Sequence, residues 1–447
     1  MGRWLALAVL LLVPTLAAAG VSVQEALLRA KPAVALVIAE VSSEAVVICA
    51  AGHEKKISPG PFRETATGWF IGPSGWMITN AHVVSPARQP PKWVAEQQAR
   101  RAVREACGDL PPQALDAAAS RARVKLDPSL YVILSNGIRL PATVEKYNPP
   151  VAGEGMSGRD LALLRIEAAD MPSLKLADSS AAKLGDKIHI LGFPGVVLSH
   201  ELLNASAKVE ASVTNGAISG FKQDVANRPV FETDAPAAWG NSGGPVVTSE
   251  GEVLGVLTFV TTEGGAEGGI VQGFNFVIPS AAVLEFLEGT DVALGEKSRF
   301  NEAWHAGLED FFAGRYTRAA KYFAEANRLL PELPDVRRMT VEAENPPPRP
   351  FPWASVAAGI TVSSLAAYGV MWVLRWRRNR FRISPSEVAR LLESRERPVI
   401  LDVRDAPTYD RSPVRIPDST HVTPLELATG MAHLKIDPSR TVVAYCT

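Results

Sequence analysis

Cysteine is scarce. Three in a chain of 447 residues cannot form a disulfide scaffold, and none stands in the paired spacing that holds a structural metal. No metal or cofactor is expected. An excess of one charge is missing too: 46 lysines and arginines face 47 acidic residues, a net charge of -1, which excludes a polycationic nucleic-acid binder. With 21% charged and 47% hydrophobic residues, the chain as a whole is neither disordered nor polytopic in a membrane. Its length leaves room for about three packed domains at ~150 residues each.

Long apolar runs are confined to two places. The first, Trp4 to Leu16, is followed by Ala17-Ala18-Ala19-Gly20, small residues of the kind a signal peptidase cleaves after. Residues 1–19 read as an export signal, with an uncleaved anchor as the alternative, and either carries the following chain across a membrane. The second, Pro350 to Leu374, has no charge, and its apolar part, residues 353–374, would rise ~33 Å as a helix against a ~30 Å hydrocarbon core. Arg375, Arg377, Arg378, Arg380 and Arg382 follow at once, and the positive-inside rule keeps such a flank cytoplasmic. Cys49 and Cys107 then fall on the oxidising side, where thiols can pair, and Cys446 on the reducing side. Sequence alone does not bring the first two together.

Thr67 to Ile71 and Trp76 to Thr79, separated by Pro73-Ser74-Gly75, make a hairpin, and the second run ends at Asn80-Ala81-His82. Further strands are read at Tyr131 to Leu134, Ile138 to Val144, Lys187 to Leu191, Glu210 to Thr214 and Val230 to Thr233. Asp160 opens the apolar strand Leu161 to Ile166, where its charge needs a nearby partner such as an imidazole N–H. Gly240-Asn241-Ser242-Gly243-Gly244-Pro245 brackets a serine with glycines that let the backbone N–H groups gather beside the hydroxyl. Histidine, aspartate and serine in this order supply a base, its orienter and a nucleophile; the N–H groups of Gly240 and Ser242 would form the oxyanion hole. The pattern Gly240-x-Ser242-x-Gly244 also fits the nucleophile elbow of α/β-hydrolases, but there the acid and histidine follow the serine, and strand-like sequence, not a helix, follows it here.

Thr79-Asn80-Ala81-His82-Val83-Val84, Asp160-Leu161-Ala162-Leu163-Leu164, Thr233-Asp234-Ala235 with Gly240 to Pro245, and Gly273-Phe274-Asn275-Phe276-Val277-Ile278-Pro279 resemble trypsin-like serine proteases of the bacterial HtrA type. The resemblance implies an all-β chymotrypsin-like fold, a double six-stranded β-barrel, within about residues 20–290. It also implies cofactor-independent endopeptidase activity on exported or misfolded polypeptides and a place in a bacterial inner membrane with the protease domain outside. Pro236 falls where trypsin-like enzymes have the floor of the primary specificity pocket; being uncharged, it disfavours cleavage after lysine or arginine. Trp239 replaces a proline common in the family. The 77 residues between His82 and Asp160 exceed what a barrel needs, and residues 85–128 read as a helical insertion with helices at Trp93 to Ala106 and Gln113 to Val124.

Gly307, Gly314, Tyr316, Ala319, Phe323, Ala326 and Pro331, within residues 299–344, resemble a single tetratricopeptide repeat. One such α-hairpin leaves an apolar face open, to be covered by the protease, by another subunit or partner protein, or by the following segment. Residues 345–352, with five prolines, are a stiff linker to the transmembrane helix. Residues 383–447 resemble an incomplete α/β rhodanese-like domain, with Asp402 and Arg404 in its Asp-Val-Arg motif and Cys446 at the persulfide position. Because the sequence given stops at Thr447, sulfur transfer is conditional on further residues. The expectation is therefore a multidomain, membrane-anchored serine endopeptidase. The alternatives are a non-hydrolytic transmembrane scaffold or sensor, and a sulfurtransferase.

Overall fold

A computed structural model describes residues 21–49, 52–149, 159–224, 226–262, 270–346, 348, 351–430 and 434–446. The expected export signal lies outside them. The chain divides into two units, Met1–Pro347 and Pro348–Thr447.

In the first unit α1 (Val23–Ala30), capped by the Ser22 hydroxyl, leads into β1 (Val34–Ile48). This long strand, absent from the sequence reading, pairs with β2 (Glu54–Ile57), β3 (Phe62–Phe70) and β5 (Arg123–Ile133). The expected hairpin joins β3 to β4 (Trp76–Thr79); β6 (Arg139–Pro141) pairs with β5, and β7 (Thr143–Asn148) with β8 (Leu161–Arg165), which flanks β4. The expected single strand Ile138 to Val144 is thus broken in two. β6 and β7 form the two edges of this sheet, and they are one run of chain interrupted at Ala142, whose N–H donates to the Leu130 carbonyl at 3.0 Å. The sheet therefore curls back on itself and hides its edges.

The second sheet is a closed barrel of β9 (Lys187–Gly192), β10 (Ser212–Gln223), β11 (Pro229–Thr233), β12 (Pro245–Val247), β13 (Val253–Thr262) and β14 (Ile270–Pro279), in the order β10-β11-β14-β13-β12-β9. Strand alternation divides the apolar residues between two jobs. Met77, Ala162 and Leu164 pack inside the first sheet, whereas their neighbours Ile78, Leu161 and Leu163 join Trp69, Leu191, Phe193 and Val256 in the seam between the sheets. That seam positions the candidate site.

Between α2 (Ala81–Arg88) and β5 the chain forms α3 (Lys92–Cys107) and α4 (Pro112–Ala119). α4 stops short of the expected Val124 because Arg123 and Val124 are already paired with β1. Ala102, Val103, Leu115 and Ala118 bury against Ala45 and Val47 of β1, and a Cys49–Cys107 disulfide closes this extension.

α5 (Gly195–Leu198) and α6 (Ala205–Lys208) stand in the β9–β10 connection, and α7 (Ser280–Leu287) follows β14. Then come α8 (Arg299–Phe312), α9 (Tyr316–Leu329) and α10 (Pro334–Glu344). Their core holds Phe300, Trp304 and Phe323, each fully buried and each contributing about 1.5–3 kcal/mol by burial. The apolar face that two helices leave open is covered by α10 and by α1: Val336 and Met339 enter the core, Leu28 packs on it, and the Trp304 indole donates to the Leu28 carbonyl at 2.8 Å. Lys31 clasps both Glu210 at 2.8 Å and Asp335 at 3.1 Å.

The second unit opens with α11 (Trp353–Asn379), long and apolar enough to cross a membrane by length and composition; its 27 residues rise about 40 Å. α12 (Pro385–Leu392) is capped by Ser384. A parallel sheet follows, β16 (Thr420–His421), β15 (Val399–Asp402) and β17 (Val442–Tyr445) in that order, with α13 (Ala406–Arg411) and α14 (Pro424–Thr429) in the connections.

The Cys49–Cys107 pair closes a loop with a sequence separation of 58. Replacing both cysteines by serine is expected to lower stability by about 4 kcal/mol through the freed unfolded chain. Urea unfolding checks this, and an unchanged midpoint would show that the bridge adds no constraint.

Candidate active site

β4 ends at Thr79, and Asn80 adopts extended backbone before α2 begins, so His82 lies in the first helical turn. The Asn80 side-chain amide donates to the Asp160 carbonyl at 2.8 Å. Asp160, placed just before β8, has φ +51°, a left-handed conformation unusual for a residue with a side chain. That turn aims the carboxylate at α2. Oδ1 accepts the His82 backbone N–H at 2.9 Å, Oδ2 lies 2.8 Å from His82 Nδ1, and Thr258 Oγ1 of β13 donates to Oδ2 at 2.7 Å. An ionised carboxylate only accepts, so Nδ1 carries the proton and Nε2 is left as the basic nitrogen.

The Ser242 loop is seated against the same strand end. Thr67 N–H donates to the Ser242 carbonyl at 3.0 Å, and the Thr67 hydroxyl donates to the Gly240 carbonyl at 2.7 Å. Gly243 has φ +81°, and a side chain there would stand 2.9 Å from the Asn80 nitrogen; only glycine fits. Gly240 has φ +97°. The Trp239 carbonyl accepts the Gly195 N–H at 2.6 Å; in a trans peptide the N–H of Gly240 must then point the other way. Among the described residues, neither the Gly240 nor the Ser242 N–H has a hydrogen-bond partner, and no hydrogen bond joins Ser242 to His82.

The structure thus brings His82, Asp160, Gly240 and Ser242 to one place at the seam. Pro236 is exposed, its carbonyl accepting the Thr214 hydroxyl at 2.8 Å, and Trp239 is 55% exposed. Three cavities, of about 320, 660 and 460 Å³, are lined by none of these residues. Cys446 belongs to the second unit, an exposed free thiol after β17; its neighbour Tyr445 donates to Asp402 at 2.6 Å. The Arg404 guanidinium beside Asp402 holds that buried carboxyl far below the usual carboxylate range. Among the described residues, no group of three or more His, Cys, Asp or Glu side chains is placed to hold a metal.

Sequence reasoning missed Thr67, Asn80, Gly195 and Thr258. Thr67 opens the hairpin and Asn80 stands beside His82 in its motif, but hydroxyl and amide side chains carry no spacing signal of their own. Gly195 and Thr258 act through contacts made only when the second barrel closes.

Residues 66–256 match the family model described as a trypsin-like peptidase domain. Over that stretch the chain is similar to trypsin-like peptidases. Serine protease HTRA2, mitochondrial, of Drosophila pseudoobscura pseudoobscura is 34% identical over 166 residues, 36% of this chain and 32% of that protein. The probable periplasmic serine endoprotease DegP-like of Chlamydia pneumoniae is 27% identical over 218 residues, 48% of this chain and 32% of that protein. The chain therefore spans about a third of the length of these curated relatives. Among solved structures, the HtrA-type protease AlgW with decapeptide is 21% identical, covering 60% of this chain and 67% of that one with a TM-score of 0.39.

Within the matched stretch His82 is tuned upward. Partial burial opposes its protonation, but the hydrogen bond and charge of Asp160, with the charge of Glu64, outweigh burial and hold its pKa above the ordinary 6.5. Asp160→Asn removes the largest favourable contribution, leaving burial less opposed. The imidazole of the variant is expected to titrate at lower pH than the wild type, followed by NMR of the His82 ring protons. Equal midpoints would show that Asp160 does not set the ring's charge.

Proposed function

We propose that this chain is a membrane-anchored serine endopeptidase in which Ser242 is the nucleophile, His82 the general base and Asp160 the residue that orients it. The observation carrying this reading is the two-point grip of Asp160 on His82. One carboxylate takes both the backbone N–H and Nδ1 of the same histidine, which leaves Nε2 as the nitrogen available to accept a proton. Nε2 takes the hydroxyl proton as Oγ attacks the substrate carbonyl. The oxyanion is held by the N–H groups of Gly240 and Ser242, a type of donor worth about 2.7–4 kcal/mol of the barrier each. His82 then hands its proton to the leaving amine, and water repeats the sequence on the acyl-enzyme. Contact between serine and histidine that tightens when substrate arrives is common in enzymes of this type.

The substrates fit unfolded or exported polypeptides, and the uncharged Pro236 region favours a small or apolar residue before the scissile bond. The length and composition of α11, with the arginines that follow it, support a single crossing that leaves the peptidase domain outside and residues 383–447 in the cytoplasm. In that compartment the tail and its Cys446 thiol read as a rhodanese-like portion. The helical module of α8 to α10 reads as a tetratricopeptide-like unit and as the surface for a second subunit or partner protein.

Ser242→Ala and His82→Ala, each in the full chain in membranes, are expected to lower cleavage of an unfolded protein by about 10⁴- to 10⁶-fold. Ser242→Ala should also abolish labelling by a membrane-impermeant phosphonate added from the exported side. Equal turnover and labelling in variant and wild type would refute the hydrolase; peptide binding without cleavage would identify a scaffold.

A further inference from the structure

β3 does more than support the hairpin. Only its carboxyl-terminal part, Trp69 and Phe70, pairs with β4, so residues 62–67 run on past that pairing, and β3 packs against α2, whose first turn bears His82. Two consecutive side chains of this run divide between the faces of the strand. Arg63 pairs with Glu40 on one face. Glu64 lies on the other, the face of Ala66, which packs in one cluster with Ala81, Val83 and Val84 on either side of His82. Three residues further along, Thr67 holds the Ser242 carbonyl.

Glu64 is half-buried, and among the described residues it makes no hydrogen bond or ion pair. Burial raises its pKa, with the charge of His82 pulling the other way. With the His82 ring neutral, a carboxylate partly withdrawn from water is an uncompensated cost to the fold unless something else supplies the positive charge.

The chemistry says which part of a substrate lies there. His82 must reach the leaving amine to protonate it, so the residues that follow the scissile bond pass on the His82 side. The residues that precede it are held on the side of Pro236, Trp239 and Gly240. Glu64 lies close enough to His82 for the two charges to act on each other, which puts it on the side where the departing segment passes. We propose that Glu64 is a specificity-determining residue for that segment, selecting lysine or arginine at the first or second position after the scissile bond and rejecting acidic residues there. This deepens the endopeptidase reading and rests on it.

The test uses the full chain in detergent and two series of internally quenched peptides. In each series, only the first or only the second residue after the scissile bond varies among lysine, alanine and glutamate. In at least one series the wild type is expected to cleave the lysine peptide about tenfold better than the glutamate peptide in kcat/KM. Glu64→Gln should bring the two within about twofold, and Glu64→Lys should invert the order. Phosphonate labelling of Ser242 verifies that each variant is folded. Cleavage that depends on Ser242 but shows no lysine-over-glutamate preference in either series, or a preference that survives in Glu64→Gln, overturns the role of Glu64 and leaves the protease standing. If no peptide is cleaved, the hydrolase reading falls first. The Ser242→Ala chain is then titrated with the same peptides, and equal affinity for the lysine and glutamate peptides overturns the role of Glu64 as well.

Discussion

Asp160 places a carboxylate at 7% exposure in the seam between two β-sheets, and everything around the site is arranged to hold that group. A charge so far from water is costly unless several donors converge on it. Here they come from both sheets: the backbone and ring of His82 from the end of the first, and the hydroxyl of Thr258 from the second. The left-handed backbone at Asp160 is the local cost of aiming the carboxylate, and the Asn80 amide on its carbonyl steadies that turn. Remove the second barrel and one of the three donors disappears. The seam therefore does two jobs at once, joining the barrels and fixing the tautomer of the histidine.

The serine loop depends on the same junction by a different route. The loop is seated through its backbone, which is held by neighbours. Thr67 grips two of its carbonyls, and Gly195, from the connection between β9 and β10, grips a third. Because a peptide group is planar, the grip of Gly195 on the Trp239 carbonyl turns the Gly240 N–H to the other side, and among the described residues the N–H groups of Gly240 and Ser242 are left without partners. The glycines at 240 and 243 are needed where φ is positive and where backbone of another strand approaches closely.

Around this centre the remaining parts attach by ordinary packing. The helices α8 to α10 cover their open face with α1 and an ion-pair cluster at Lys31, whereas α3 and α4 are tied to β1 by an apolar patch and a disulfide. Within the second unit, the buried Asp402–Arg404 pair organises the parallel sheet much as Asp160 organises the seam, by satisfying a charge away from water.

The sequence by itself determined which residues are candidates for the chemistry, the β3–β4 hairpin, most strands of the second barrel and the long apolar helix, because turn residues, alternation and runs are local properties of a chain. It did not disclose β1, whose length and central place depend on partners on both sides. Nor did it reveal the break at Ala142, or the early end of α4, where pairing with β1 overrides helical preference. The Cys49–Cys107 pairing, the covering of the helical module and the supporting roles of Thr67, Gly195 and Thr258 were decided by tertiary structure alone. Each joins segments distant in the chain, and only the closing of the barrels and the packing of helices against them bring such segments within reach of a bond.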